Sequence, residues 1–239
     1  MGLFAYVTGA DRGLGLALVA ELLRHSYQVF AGSFLSEHPE LDRLAQENPG
    51  RVHVLRLDVT DQKSVDAAAA AIAKTTDRLN LLINNAGTAV DRSRTILDEL
   101  HFDDMHTIIE VNAFGPLRVT KSVVPLLLKA DPKVLINISS VAASLGTITR
   151  STQYAYTMSK VSLNMQSKLI KNHFGNDGLV VLAVHPGAMP TLILGDPEIT
   201  KNAPVKPEDS ARGIVALAER TWSEGDPMFL DYQGKPIPW

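Results

Sequence analysis

The sequence contains no cysteine, which excludes disulfides, thiolate metal centres and a cysteine nucleophile, and fits a reducing, cytoplasmic setting. No run of about 20 apolar residues occurs, so no segment is expected to span a bilayer. The first apolar stretch, Leu3-Phe4-Ala5-Tyr6-Val7, is too short for a secretory signal and lacks a basic flank and a cleavage site. An excess of positive charge is missing too. Lys and Arg number 23 against 26 Asp and Glu, with a formal charge of -3, so neither a nucleic-acid surface nor a polybasic membrane patch is expected. The 7 histidines show no HExxH or other ligand spacing. His101 and His106, near Asp103 and Asp104, read as a polar helix start, and no metal is expected. Asn137-Ile138-Ser139 matches a glycosylation sequon but lies in an apolar, strand-like run where a sugar could not fit. There is no internal repeat, low-complexity tract or linker.

What is present suits one substantial core. The 239 residues are 45% hydrophobic, and apolar runs of strand length alternate with longer segments of helical period, the pattern of strand-helix units on a parallel sheet. Strands are predicted near Phe4-Val7, Val29-Ala31, Val52-Leu57, Leu79-Asn84, Val134-Ile138, Val180-Val184 and Met228-Leu230. Helices are predicted over Leu14-His25, Ser64-Thr76, Asp103-Lys129 with kinks at Gly115-Pro116 and Pro125, Tyr156-Phe174 and Pro207-Arg220.

Thr8-Gly9-Ala10-Asp11-Arg12-Gly13-Leu14-Gly15 follows the first strand and opens the first helix. Glycines at 9, 13 and 15 let the backbone turn and approach a pyrophosphate, whose charge meets unpaired N–H groups at the helix start. The second strand should end near Ser33-Phe34, where an acid would bind the ribose hydroxyls of NAD and a base the 2′-phosphate of NADP. Neither stands there. Arg12 can reach the same region, which favours NADP with NAD as the alternative; a solvated loop arginine is the plain reading. Asp58 could accept from an adenine amine or cap the next helix, for which Thr60 is the better candidate. Asn84-Asn85-Ala86-Gly87 closes the fourth strand with small and amide residues.

In Tyr156-Thr157-Met158-Ser159-Lys160, phenol and ammonium four positions apart share a helix face, and a cation there lowers the phenol's pKa towards working pH. Such a tyrosine can give or take a proton at a carbonyl. Tyr154 is excluded as its equal because its partner at this spacing would be Met158. Asn112 lies mid-helix, where a polar residue is either exposed or bonded to something. Ser139 and Ser140 alternate in direction, so only one of them faces a site.

Glycines 9, 13 and 15 after Thr8, Asp58, Asn84-Asn85-Ala86-Gly87, Asn112, Ser139-Ser140, Tyr156 with Lys160, and Pro186-Gly187 stand in an order that resembles the short-chain dehydrogenase/reductase family. The length and the closing Phe229-Leu230-Asp231-Tyr232-Gln233-Gly234-Lys235 look like its C-factor and sniffer-type carbonyl reductases. The resemblance implies an α/β chain, residues 1–239, forming a single NAD(P)-binding Rossmann domain that includes the substrate site, with a doubly wound parallel sheet of about seven strands. It implies an NADP-dependent oxidoreductase that transfers a hydride between the nicotinamide and a ketone, aldehyde or alcohol. Catalysis falls to Tyr156 as acid/base, Lys160 beside it, Ser140 at the carbonyl oxygen and Asn112 on a water relay. Cofactor contacts fall to Thr8, Gly9, Arg12, Gly13, Leu14 and Gly15, then to Asp58, Val59, Asn85, Ala86 and Gly87. Tyr156, Lys160, Pro186, Gly187 and Thr191 complete that set, although Pro190 departs from the family pattern.

The substrate pocket is expected between Val141-Leu145, the loop through Gln153 and Met189-Leu194, all largely apolar, which suits a hydrophobic carbonyl compound; Arg150 could bind an acid instead. The spacing from Ser140 to Tyr156 exceeds the family's commonest one. The resemblance also implies a homo-oligomer through the helices around Asn112 and Tyr156, which commonly form subunit interfaces in this family, with a monomer as the alternative, since some carbonyl reductases of this type are monomers. The alternative from another class is a dinucleotide-binding regulatory or signalling protein of the same fold with incidental turnover.

Overall fold

Residues 3–8, Leu-Phe-Ala-Tyr-Val-Thr, form the strand around which the sheet is laid, and its near-continuous apolar run reflects burial on both faces. The computed structural model describes residues 2–91, 95–196, 198 and 200–239. The strands are β1 (Leu3–Thr8), β2 (Tyr27–Ser33), β3 (Val52–Arg56), β4 (Leu81–Asn84), β5 (Val134–Ile138), β6 (Val180–His185) and β7 (Phe229–Asp231). All seven coincide with the apolar runs of the sequence, and they form one sheet in the order β3-β2-β1-β4-β5-β6-β7. Every neighbouring pair is parallel.

The helices are α1 (Gly13–Arg24), α2 (Pro39–Glu47), α3 (Gln62–Thr75), α4 (Phe102–Ile109), α5 (Gly115–Leu127), α6 (Tyr154–Phe174) and α7 (Pro207–Glu219). α1 packs on α7 over one face of the sheet, where Leu18, Leu22, Ile214 and Val215 meet Val7, Val29 and Val184. α3 and α5 cover the other face, where Ile72, Val119 and Val123 meet Tyr6, Leu82 and Leu135. The molecule is thus a doubly wound α/β fold with the strand order reversing between β1 and β4, and the carboxyl ends on either side of that switch point frame a crevice.

Two elements differ from the reading of the sequence. α2 carries only a short apolar stripe, Leu41 buried with Leu44 and Ala45 packed against the core at i+3 and i+4, which the reading along the chain passed over. Its start is marked as well: Pro39 in the first turn, with Glu40 and Asp42 at the positive end of the helix. The long helix expected over 103–129 is divided by a wider π turn, Glu110–Phe114, just before Gly115-Pro116, whose proline has no N–H to return to the preceding turn. Pro125 lies inside α5, which continues to Leu127.

Candidate active site

The glycine loop runs from the end of β1 into α1 and fits a dinucleotide's phosphates on steric grounds. Gly9 and Gly13 have φ of +64° and +55°, the left-handed region that favours glycine. A Cβ at Gly15 would lie 1.9 Å from the Gly9 carbonyl oxygen, so the turn closes only without a side chain. α1 starts with no side-chain cap, leaving its first N–H groups for an anion. Leu14 is buried in the core and can offer only its backbone here. Thr8 and Asn85 act differently from Gly9 and Gly13. The Thr8 hydroxyl accepts from the Asn85 and Ala86 N–H groups, both at 3.0 Å, while Asn85 Nδ2 donates to the Thr8 and Gly9 carbonyls at 2.9 and 3.0 Å. These two side chains lock the β1 and β4 ends together rather than facing a ligand.

The end of β2 holds an acid that the linear sequence hides. Asp11 reaches across from the glycine loop, accepts the Leu35 N–H at 2.9 Å and bonds the Ser33 hydroxyl. Arg56, in register with Ser33, lies over the Phe34 ring at 5.1 Å, and Arg12, next to Asp11 in the glycine loop, is exposed. Asp58 accepts from the Thr60 N–H and hydroxyl at 2.9 and 2.7 Å, and Asp61, not Thr60, caps α3. Val59 is buried against Gly115, 2.8 Å from where a Cβ would sit.

α6 brings the titrating groups together. Lys160 is buried, donates to the Ile138 carbonyl at 2.8 Å and lies 5.8 Å from the Tyr156 ring centroid. Burial pushes its ammonium down to about 8. Burial also raises the Tyr156 phenol, against a hydrogen bond with Ser140 and the charge of Arg150, which pull it down. The expected lowering of Tyr156 by Lys160 is therefore not what dominates in the chain alone, because desolvation acts on both groups and the ammonium is turned to a carbonyl.

The serine pair separates as the alternation requires. Ser139 donates to Asn164 Oδ1 at 2.6 Å inside the sheet-helix interface, while Ser140 faces Tyr156 and accepts the Ala142 N–H at 3.1 Å, capping a short 3-10 turn over 141–143. Asn112, fully buried in the π turn, accepts from the Thr88 N–H and donates to the Thr88 carbonyl and to Ser159 Oγ, at 2.9, 2.8 and 3.0 Å. Ser159 donates in turn to the Tyr156 carbonyl at 2.7 Å. A Cβ on Gly87 would fall 3.2 Å from Asn112 Oδ1 and 3.7 Å from Lys160 Nζ, so the absence of a side chain leaves the crevice open there.

Gly187 turns at φ +84° after β6. Thr191 is fixed by Thr200, which accepts its N–H at 2.9 Å and donates to its carbonyl at 2.8 Å, and its methyl lies 3.7 Å from a Cβ position on Gly13. This loop also meets the segment after β4, with the Ala89 N–H donating to the Ile193 carbonyl at 2.9 Å. Among the described residues no group of histidines and carboxylates could hold a metal ion, and no helix is long and apolar enough to cross a membrane. Asp11, Ser159 and Arg56 are the site residues that reasoning along the chain passed over. Ser159 alone had a local signal, three positions after Tyr156 on the same helix.

Comparison with known proteins identifies the family. The short chain dehydrogenase family model matches residues 4–200. The short chain dehydrogenase pigC of Monascus ruber is 34% identical over 94% of this chain and 77% of its own. The C-signal protein of Myxococcus xanthus is 35% identical over 69% of this chain and 95% of its own. Two solved structures cover all of both chains: an NADPH-bound carbonyl reductase from chicken fatty liver, 31% identical with TM-score 0.87, and the carbonyl reductase Sniffer of D. melanogaster, 27% identical with TM-score 0.89. A parallel sheet switching order at β1/β4, a glycine loop that tolerates no side chain and a tyrosine-lysine helix beside it are this family's construction, and the chain belongs to the short-chain dehydrogenases.

Proposed function

We propose that the protein is an NADP-dependent carbonyl reductase acting on a largely apolar ketone or aldehyde, or on the corresponding alcohol. The observation that carries this reading is the convergence of three groups: Ser140, near enough to the Tyr156 phenol to pull its pKa down against burial, and buried Lys160, whose ammonium lies 5.8 Å from the Tyr156 ring centroid. A bound nicotinamide supplies or accepts the hydride. The chain's own groups handle the rest. Reduction leaves an alkoxide, which needs a donor in place beforehand and a proton source; Ser140 is placed for the first and Tyr156 for the second. Lys160, buried beside the phenol, favours the phenolate when protonated. Asn112 holds the segment after β4 and, through Ser159, the backbone of Tyr156.

Gly9, Gly13 and Gly15 would receive the pyrophosphate, with Ala86 and Gly87 at the end of β4 and Pro186, Gly187 and Thr191 after β6 on the nicotinamide side. Thr8 and Asn85 would act by shaping the loops, and Asp58 and Val59 would border the adenine, Val59 through its backbone. The NADP preference rests on Arg12 and Arg56 near the β2 end and on similarity to NADPH-bound carbonyl reductase. Asp11 opposes it, because a carboxylate there repels a 2′-phosphate. Cofactor and substrate sites would share this one domain, in the cytoplasm, as a monomer or a homo-oligomer through α5 and α6.

The test is consumption of NADPH and NADH against a panel of ketones and aldehydes. A higher kcat/KM with NADPH is expected, and preference for NADH would overturn the cofactor assignment. Tyr156→Phe should reduce turnover by about 10³-fold while cofactor affinity stays within about twofold. The likeness to C-signal supports a second reading, a dinucleotide-binding signalling protein with incidental turnover. Retained biological activity of the Tyr156→Phe protein would favour it.

A further inference from the structure

The segment Phe229-Leu230-Asp231-Tyr232-Gln233-Gly234-Lys235 and the four residues after it have no part in the chemistry above, yet they touch loops on both sides of the site. After β7 the chain turns at Gly234, φ +86°, around the Asp231 carboxylate, which accepts the Gln233 and Lys235 N–H groups at 3.0 and 2.9 Å. It then returns antiparallel to β7, pairing Pro236 with Leu230 and placing the Ile237 N–H on the Phe229 carbonyl at 2.9 Å. At the turn, Tyr232 donates its N–H to the His185 carbonyl at 2.9 Å, and its ring stands 3.2 Å from a Cβ position on Gly187. This is the Pro186-Gly187 side of the crevice.

At the far end the Trp239 main-chain oxygen accepts the Gly146 N–H at 2.9 Å, and the Trp239 ring meets the Phe229 ring with centroids 5.6 Å apart. Gly146 lies in the long loop after Ser140. A Cβ there would fall 3.1 Å from the same oxygen, so the approach favours glycine. The loop is seated from beneath as well, because Ala143 packs in one small buried cluster with Phe229 and Ala183, flanked by Ile237. From Gly146 back to the site the path is short and hydrogen-bonded: Thr147 Oγ1 donates to Ser144 Oγ at 2.7 Å, and the Ala143 N–H donates to the Ser140 carbonyl at 2.9 Å. Trp239 remains 48% exposed, and the loop it is bonded to carries two further exposed apolar side chains, Leu145 at 75% and Val141 at 43%.

We propose that residues 229–239 are a brace joining the loops after β5 and β6, in which Tyr232 and Trp239 are positioning residues that set the distance between the Ser140–Gln153 loop and the Pro186–Gly187 turn, and so the size of carbonyl compound admitted. The proposal rests on the carbonyl reductase reading for its substrate class, but the brace itself can be tested without turnover. Trp239→Ala removes the ring that anchors the tail on Phe229. Gly146→Pro removes the N–H that the tail accepts and leaves the tail sequence untouched.

Both variants are compared with wild type by kcat and KM over methyl ketones of increasing size at saturating cofactor, by cofactor affinity, and by amide hydrogen exchange of residues 141–153. The expected result is a KM change of about tenfold for the larger ketones, in the same direction in both variants, with kcat for the smallest ketone and cofactor affinity within about twofold. Exchange should accelerate over 141–153 and not in the glycine loop. An unchanged size profile with unchanged exchange overturns the proposal. So does a uniform loss across all ketones and cofactor binding, which would mark general destabilisation. If wild type reduces no carbonyl compound, the substrate reading fails while exchange still decides the brace: faster exchange over 141–153 in both variants supports it, and none removes it.

Discussion

The cofactor side and the substrate side of α6 are held by different means. On the cofactor side the β1 and β4 ends are tied by Thr8 and Asn85 through four hydrogen bonds of 2.9 to 3.0 Å, and the glycine loop leaves no room for a side chain at position 15. On the substrate side the loop after Ser140 is held by one short capped turn, by Ala143 packed on Phe229, by bonds of Thr147 and Ile148 back to Ser144 and by the tail at Gly146, and it carries exposed Val141 and Leu145. A common phosphate-bearing ligand can be met by rigid backbone, whereas selection among carbonyl compounds falls to loops whose side chains are free to differ. The first prediction tests this contrast directly. Gly15→Ala forces a Cβ against the backbone of Gly9 and should cost about 3 kcal/mol or more in stability, with cofactor affinity falling by roughly 100-fold. Leu145→Ala, on an exposed loop position, should stay within about 0.5 kcal/mol by denaturant titration. Equal tolerance at the two positions would break the comparison.

The same contrast explains what could be read along the chain. All seven strands, the glycine loop and the Tyr156-Lys160 face were legible because each rests on local order: apolar runs on a buried sheet, glycine at a strand-helix turn, and a four-residue helical spacing. Asp11 at the β2 end was not, because its partners Ser33 and Leu35 are 22 and 24 residues away and only the parallel register brings them together. Asn112 stood out as an oddly placed polar residue, but its bonds to Thr88 and Ser159 depend on the packing of a π turn against α6, which has no sequence signature. The direction of the Tyr156 shift was misread for a related reason. Spacing puts a cation nearby, but burial of the pair is a tertiary property, and burial dominates.

Lys160 joins the two sides and gives the next prediction. Its ammonium titrates at about 8 in the folded chain against 10.5 unfolded. Between those values the unfolded chain holds a proton that the folded one has released, so stability rises with pH across this window, by about 3 kcal/mol in all, and the cost is fully present below pH 8. Tyrosines act oppositely above 10, where burial keeps Tyr156 protonated in the fold and raises Tyr27 to about 12, so their contribution is lost as pH climbs further. The checkable signature is a higher denaturant midpoint at pH 9.5 than at pH 7.5, abolished in Lys160→Met. A flat profile in wild type would show that the ammonium is better solvated than its burial implies.

Asn112→Ala should cost about 2 kcal/mol, because the Thr88 N–H and carbonyl lose their partner inside the fold. Thr88 precedes Ala89, which bonds Ile193 on the loop after β6. The variant should therefore loosen the substrate side more than the glycine loop, seen as a larger rise in KM for the carbonyl than for the cofactor. Equal rises would mean that Asn112 serves both sides alike.

The smallest expected effect belongs to Arg150. Its guanidinium bonds the side chain of Gln153, the left-handed residue that opens α6, and its charge pulls the Tyr156 phenol down against burial. Removing that charge in Arg150→Ala should move the basic limb of the pH profile for alcohol oxidation upward, since the phenolate becomes harder to form. Arg150 is exposed, so the shift should shrink in 0.5 M salt, where the Debye length falls to about 4 Å. Arg150→Lys separates charge from geometry: it should restore the limb if the charge acts through space and leave it displaced if the bond to Gln153 sets the position of Tyr156. Coincident low-salt profiles for wild type and Arg150→Ala would place Arg150 outside the electrostatics of the site, and the substrate side would then tune its tyrosine through Ser140 alone.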